Sequence, residues 1–240
     1  MCSSDLVEER TVGPDLGADS IHSGILASAI AVTAVVVFML VTYGRFGVYA
    51  NLAVIINVVV IVGVLAVTVV MNLAVFQYQQ ILSVFARDIL HIDAFGFGLL
   101  SAADALGSTI GIVLLAQRPK APQAAVFVGS CVGMCLLLTG FTFVTAFPLA
   151  LVTLLCFGIV HAGFSTMQSS IILRAAAADV RGRAGGWLSM AIGTLPFGMV
   201  LLGVLAEQIG SHAAVVASAV AGMVVLVLWL IRRPEVLRLA

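Results

Sequence analysis

Charged residues cut this chain into long apolar runs. Residues 20–44 hold no charged side chain, nor do residues 46–86, a run of 41. Residues 94–117 are interrupted only by Asp104, and residues 121–173 form a 53-residue run with turn residues near 145–148. Residues 184–206 and 208–231 follow, parted by Glu207 and the Gly210, Ser211, His212 turn. About 20 mostly apolar residues suffice for a helix to cross the hydrocarbon core. These runs predict an all-α polytopic membrane protein with about seven transmembrane helices. The run 46–86 would measure about 60 Å as continuous helix, twice the thickness to be crossed. It is expected to be one over-long, kinked segment with Gly63 as the bend.

Composition agrees with this class. Of 240 residues, 62% are hydrophobic and only 9% charged, with a mean hydropathy of +1.22. Soluble domains carry about a quarter charged residues, so a water-soluble globule and a disordered regulator are excluded. Eleven basic residues balance eleven acidic ones, so no charge excess points to nucleic acid; the lipid bilayer is the expected partner. With one crossing at 46–86, nine of the eleven basic residues fall on one side: Arg45, Arg118, Lys120, Arg174, Arg181, Arg183, Arg232, Arg233 and Arg238. The positive-inside rule makes that side cytoplasmic, with the N-terminus outside and the C-terminus inside. The first residues lack the basic and apolar regions of a signal peptide, so none is expected.

Catalytic patterns are missing. No phosphate-binding glycine loop, no His-Glu-x-x-His and no nucleophile with an evident base occurs, so the chain is not expected to be an enzyme. Cys131 and Cys135 share a helix face without further ligands, which predicts small packing residues rather than a metal site. No metal and no cofactor are expected.

Polar residues inside the spans are the candidates for function. Asp104 is the one charge deep in a span, where an aspartate costs ~2.5–3.5 kcal/mol to insert and must face protein or water. It reads either as a proton or cation site or as a cavity-facing polar group without a coupling role. His161, Ser165, Gln168 and Ser169 lie mostly on one face of a later span. They either line a substrate pathway or hydrogen-bond between helices. Asp179, Arg181 and Arg183 stand at the start of the run 184–206. Asp179 is expected to cap the helix there, with the arginines reaching helix ends or phosphate headgroups. Arg87, Asp88, His91 and Asp93 read as a solvated outer loop, and Trp229 as an interfacial anchor.

Two stretches resemble known families. Met71-Asn72-Leu73 through Arg87-Asp88-Ile89-Leu90, then Gly96-Phe97-Gly98-Leu99-Leu100-Ser101, then Asp179-Val180-Arg181-Gly182-Arg183 with Pro196-Phe197-Gly198 resemble the C-terminal half of a major facilitator superfamily transporter. The nearest branch is the drug, macrolide and siderophore exporters, and the likeness covers residues 68–240. Where that family has Pro before the Asp of its cytoplasmic loop, this chain has Ala178. The resemblance implies that the last six spans form one half-bundle. It further implies proton-coupled export of a small-molecule substrate across the bacterial inner membrane, and a cytoplasmic gate at Asp179, Arg181 and Arg183. The partner would be a missing N-terminal half.

Residues 7–67 resemble SecD instead. Val7-Glu8-Glu9-Arg10-Thr11-Val12-Gly13-Pro14-Asp15-Leu16-Gly17 carries the likeness, and it continues through Tyr43-Gly44, Phe46-Gly47, Ala50-Asn51 and Asn57. That resemblance implies two helices of a protein-export subunit, with the Sec translocon as partner. The two likenesses meet at residues 61–70, which leads to the expectation of a chimera. Cys2-Ser3-Ser4-Asp5-Leu6 is what TGC TCT TCC GAT CTN encodes, similar to a common sequencing adapter, so residues 1–6 are expected to be adapter-derived.

Overall fold

The computed structural model describes residues 14–118 and 122–232. Residues 1–13, with the adapter-like segment and most of the SecD-like motif, lie outside the described residues, as do Lys120, Arg233 and Arg238. The described chain is all helical, and seven segments are long and apolar enough to cross a membrane. It is a multi-pass helical membrane protein.

Two compact units divide the chain after Ile56. The first contains α1 (Pro14–Tyr43) and the opening of α2 (Arg45–Ala74). Gly44 makes the turn between them with φ +52°, a conformation that glycine adopts without a Cβ penalty. Gly47 then rests on the Met39 carbonyl, where a Cβ would collide. Asn51 Nδ2 donates to Val36 O at 3.3 Å. Almost every apolar side chain here points outward, Val41 and Phe46 among them. A helix that is apolar on all sides and unburied suits lipid rather than water.

From Asn57 onward the second unit holds the rest of α2, then α3 (Tyr78–Asp88), α4 (Ala94–Ala116), α5 (Gln123–Phe141) and α6 (Phe147–Ala175). A 3₁₀ turn (Ala178–Val180) leads to α7 (Arg181–Ile192), α8 (Leu195–Ile209) and α9 (Ser211–Arg232). Phe127, Phe157, Met71, Met134, Leu154, Ile172 and Leu202 fill its core. Cys131 and Cys135 are buried within that core.

Small residues set the helix pairings. Gly107 meets the backbone of Leu155, and Gly111 meets Ile159 and Ala162. The register rises on both helices together, so α4 and α6 run parallel with their backbones in contact. Lipid tails are as apolar as leucine, so such close packing, rather than hydrophobic burial, drives association in a bilayer. Ser108 Oγ adds a bond to Gly158 O at 3.2 Å. Gly163 against Ser130 and Gly133 against Val160 fix α5 antiparallel to α6.

The over-long run does not bend at Gly63. That residue lies inside the unbroken α2, and a Cβ there would come within 2.8 Å of the Trp229 ring. Its small size admits Trp229, which packs against α2. The interruption comes at residues 75–77, where Val75 N and Phe76 N both donate to Met71 O, at 2.9 and 3.1 Å. The extra residue in that loop stops the regular ladder. Gln77 Nε2 donates to Leu73 O at 2.6 Å, the carbonyl that a continuing helix would give to the Gln77 backbone. Gly198 approaches Asn72 O and Leu73, placing α8 against α2 just before the break.

The span expected at 184–206 is also interrupted. α7 and α8 are separate helices parted at Gly193 and Thr194, and Pro196 lies in the first turn of α8. The turn expected at 145–148 falls at residues 142–146, with Pro148 in the first turn of α6. Proline is tolerated there because those amides have no intrahelical acceptor.

Candidate functional site

A cavity of about 260 Å³ opens on the second unit, lined by Asn72, Phe76, Gln79, His161, Phe164, Ser165, Gln168, Ile192 and Leu195. Its walls come from α2, the break, α3, α6 and the α7–α8 joint. His161, Ser165 and Gln168 are therefore brought together as expected. Ser169 is not among the lining residues; its hydroxyl donates to Ser165 O at 3.1 Å, back into its own helix. One residue beyond Gln168 the helix has turned by about 100°, enough to carry Ser169 off the cavity face.

Gln168 is nearly fully buried, with its Oε1 2.9 Å from Thr68 Oγ1 on α2. Thr68 Oγ1 is also 2.8 Å from Val64 O. One hydroxyl proton serves only one acceptor well. With the amide turned, Gln168 Nε2 donates to Thr68 while Thr68 donates to Val64, and both contacts are satisfied. This contact ties α6 to α2.

His161 sits among aromatic rings. Its centroid is 5.1 Å from Phe76 and 6.4 Å from Phe157, and Phe76 also lies 5.4 Å from Phe164. Phe157 in turn packs on Tyr78 at 4.8 Å. Through this chain of rings the cavity abuts Asp104. Tyr78 Oη donates to Asp104 Oδ2 at 3.2 Å, while Asp104 Oδ1 is buried with no hydrogen-bond partner among the described residues. Asp104 therefore faces protein, as its insertion cost requires.

Tyr78, Asn72, Gln79 and Thr68 were not foreseen as site residues. A signal for three of them exists. Thr68, Asn72 and Gln79 are polar residues spaced by four and seven in a run without charges, a spacing that puts them on one face of a regular helix.

The expected cytoplasmic gate is spread out. Arg181 Nε donates to Leu173 O at 3.2 Å and so reaches the end of α6. A cation at a helix C-terminus is favourable. Asp179, Arg181 and Arg183 are exposed and form no ion pair with one another among the described residues. Asp179 does not cap α7: the residue before that helix is Val180, and Asp179 belongs to the 3₁₀ turn. Side-chain capping needs the residue directly at the helix mouth, and the 3₁₀ turn displaces Asp179 from it. Arg87 and Asp88, expected in a loop, form the last turn of α3 and pair at 2.8 Å, both well exposed. Asp93, which read only as loop, accepts from Gly96 N at 2.8 Å and caps α4.

Comparison with known proteins finds a short stretch of likeness. The chain is 55% identical over 47 residues to the protein translocase subunit SecD of Acetobacter pasteurianus. It is 53% identical over 47 residues to that of Rickettsia typhi, and 50% over 46 to that of Rhodobacter capsulatus. Each match covers 19–20% of this chain, which spans only 8–9% of the length of those relatives. No protein-family model matches the chain, and no solved structure matches it. The molecule is thus a multi-pass helical membrane protein that carries, over about a fifth of its length, a stretch similar to SecD.

Proposed function

We propose that residues 68–240 act as the C-terminal half of a major facilitator transporter. It exports a small molecule across the bacterial inner membrane, coupled to protons, by alternating access between two half-bundles. The observation that carries this reading is the cavity at Asn72, Gln79, His161, Ser165 and Gln168, walled by interrupted helices. Substrate sites of such transporters lie near the midplane, beside broken helices whose freed backbone groups face a cavity. The breaks at residues 75–77 and 193–194 meet the cavity at Phe76, Ile192 and Leu195. In this reading Asp104 holds the coupling proton, and Asp179, Arg181 and Arg183 serve the cytoplasmic gate.

One half-bundle offers one wall of a two-walled site, so the chain alone transports nothing. Proteoliposomes holding only this polypeptide should show no proton-driven flux of cationic dyes or macrolides. Flux from them would overturn the half-transporter reading.

A second reading is favoured by the SecD matches: the chain is a fragment of a protein-export subunit, working with the Sec translocon. We infer that the two readings belong to two pieces, joined within residues 61–70 as a chimera. Residues 1–6, 7–67 and 68–240 then have separate origins. Long-read sequencing of the source DNA across codons 55–75 decides it. Molecules spanning the join establish a real fusion; reads in which codon 68 follows a further half-bundle establish the chimera.

A further inference from the structure

The strongest uncommitted feature of the second unit is the joint at residues 75–77, with what flanks it on either side. Phe76 and Gln79 line the cavity, while Tyr78 between them points the other way, to Asp104 on α4. Three neighbouring residues thus connect a carboxyl group to a cavity wall. The joint itself departs from the regular helical ladder. Met71 O serves two amides, Leu73 O is capped by the Gln77 side chain, and Gln77 Oε1 is buried with no partner among the described residues.

We propose that Tyr78 is a positioning residue that links proton binding at Asp104 to the shape of the cavity, by swinging α3 about the joint at residues 75–77. This deepens the reading of Asp104 as a proton site and rests on it. An ionised carboxylate only accepts hydrogen bonds, and its 3.2 Å bond from the Tyr78 hydroxyl is charge-assisted. With Oδ1 lacking a donor among the described residues, Tyr78 is the side-chain donor there that holds that charge, and α3 is drawn towards α4. Protonation removes the charge and weakens the bond. α3 is then held by the joint and by its apolar face, where Leu82 and Phe85 pack in the core and Phe85 meets Phe141, and Phe76 and Gln79 shift as it pivots on that face. Among the described residues, the titratable groups facing Asp104 are Tyr78 from α3 and His161 from α6, and the Gly158 backbone of α6 meets the Asp104 carbonyl. Because Phe76 packs on His161 and Phe164, its displacement alters the wall on which a ligand would lie.

The test measures the joint without measuring transport. Spin labels are placed at Val62→Cys on α2 and Ser83→Cys on α3, both exposed positions. The full chain, with its four native cysteines replaced by alanine, is reconstituted in lipid nanodiscs. The distance distribution between the labels is recorded at pH 5 and pH 9. The expected result is a shift between the two pH values that disappears in Asp104→Asn and in Tyr78→Phe, survives in His161→Gln, and persists with an altered midpoint in Asp104→Glu. Asp104→Glu also answers the case in which Asp104→Asn fails to fold. No shift in the parent chain, or a shift that survives Asp104→Asn, overturns the proposal. A rigid joint would leave the export reading standing, since that reading is judged by flux.

Discussion

Gly158 and Asp104 meet backbone to backbone: a Cβ at position 158 would collide with the Asp104 carbonyl. The same contact that locks α6 to α4 therefore sets the depth and rotation of the acidic side chain in the middle of α4. Packing and candidate chemistry share a residue.

Gly158→Leu should wedge the two helices apart. Overfilling a tight contact costs about 1–3 kcal/mol, and here it would also turn Asp104 away from Tyr78. Unfolding followed by helicity in an SDS titration should show that loss. Gly129→Ala and Gly203→Ala, where nothing lies within 4 Å of the added carbon, should unfold like the parent. Equal behaviour of all three variants would contradict the close α4–α6 contact.

The Thr68–Gln168 contact joins residues one hundred positions apart and crosses the wall of the cavity. Hydrogen bonds between membrane helices average about 0.6 kcal/mol, reaching ~1.7. A double-mutant cycle of Thr68→Val and Gln168→Leu in SDS should give a coupling energy within that range. Strict additivity would mean that the two side chains do not bond.

Asp93→Ala should remove the cap from α4 and cost about 1 kcal/mol, while Asp93→Asn should retain most of it. Thermal unfolding in detergent measures both. The comparison separates the capping oxygen from the charge, since only the first is common to aspartate and asparagine.

The spans were legible because charges bound them: Arg45, Arg87, Arg118, Arg174 and Glu207 mark helix ends where a polar group must leave the hydrocarbon. Asp104 stood out for the same reason. The break at residues 75–77 was not legible. No glycine, proline or charge marks it, and it is held by a side-chain amide at Gln77 whose partner is a backbone carbonyl. Gly63 was misread as a bend because glycine has two uses, freedom and small size, and only the facing Trp229 tells them apart. The cavity was half legible. His161, Ser165 and Gln168 share one helix, whereas Asn72 and Gln79 reach it from another part of the chain. Asp179 was misplaced because a single 3₁₀ turn moved the helix mouth past it.

The last expectation concerns sidedness. Because α4 and α6 run parallel, their C-terminal ends lie at the same end of the unit, which puts Arg118 and Arg174 together. Gln123 at the start of α5 confirms the level by donating to Ser170 at 3.1 Å, and Arg181 reaches back to Leu173. Trp229 against Gly63 and Gly222 against Ala74 run α9 antiparallel to α2, so the last helix ends near Gly63. The opposite end carries Arg87, Asp88, His91 and Asp93. Retention of Lys and Arg on the cytoplasmic side would then fix the whole unit with its Arg118 and Arg181 loops inside. Single cysteines at Arg118 and Gly182 should react with a membrane-impermeant maleimide only after spheroplasts are opened, and one at His91 should react in intact spheroplasts. Labelling of positions 118 and 182 from opposite sides would break the parallel pairing of α4 and α6. Labelling of both from outside would leave that pairing intact and reverse the orientation.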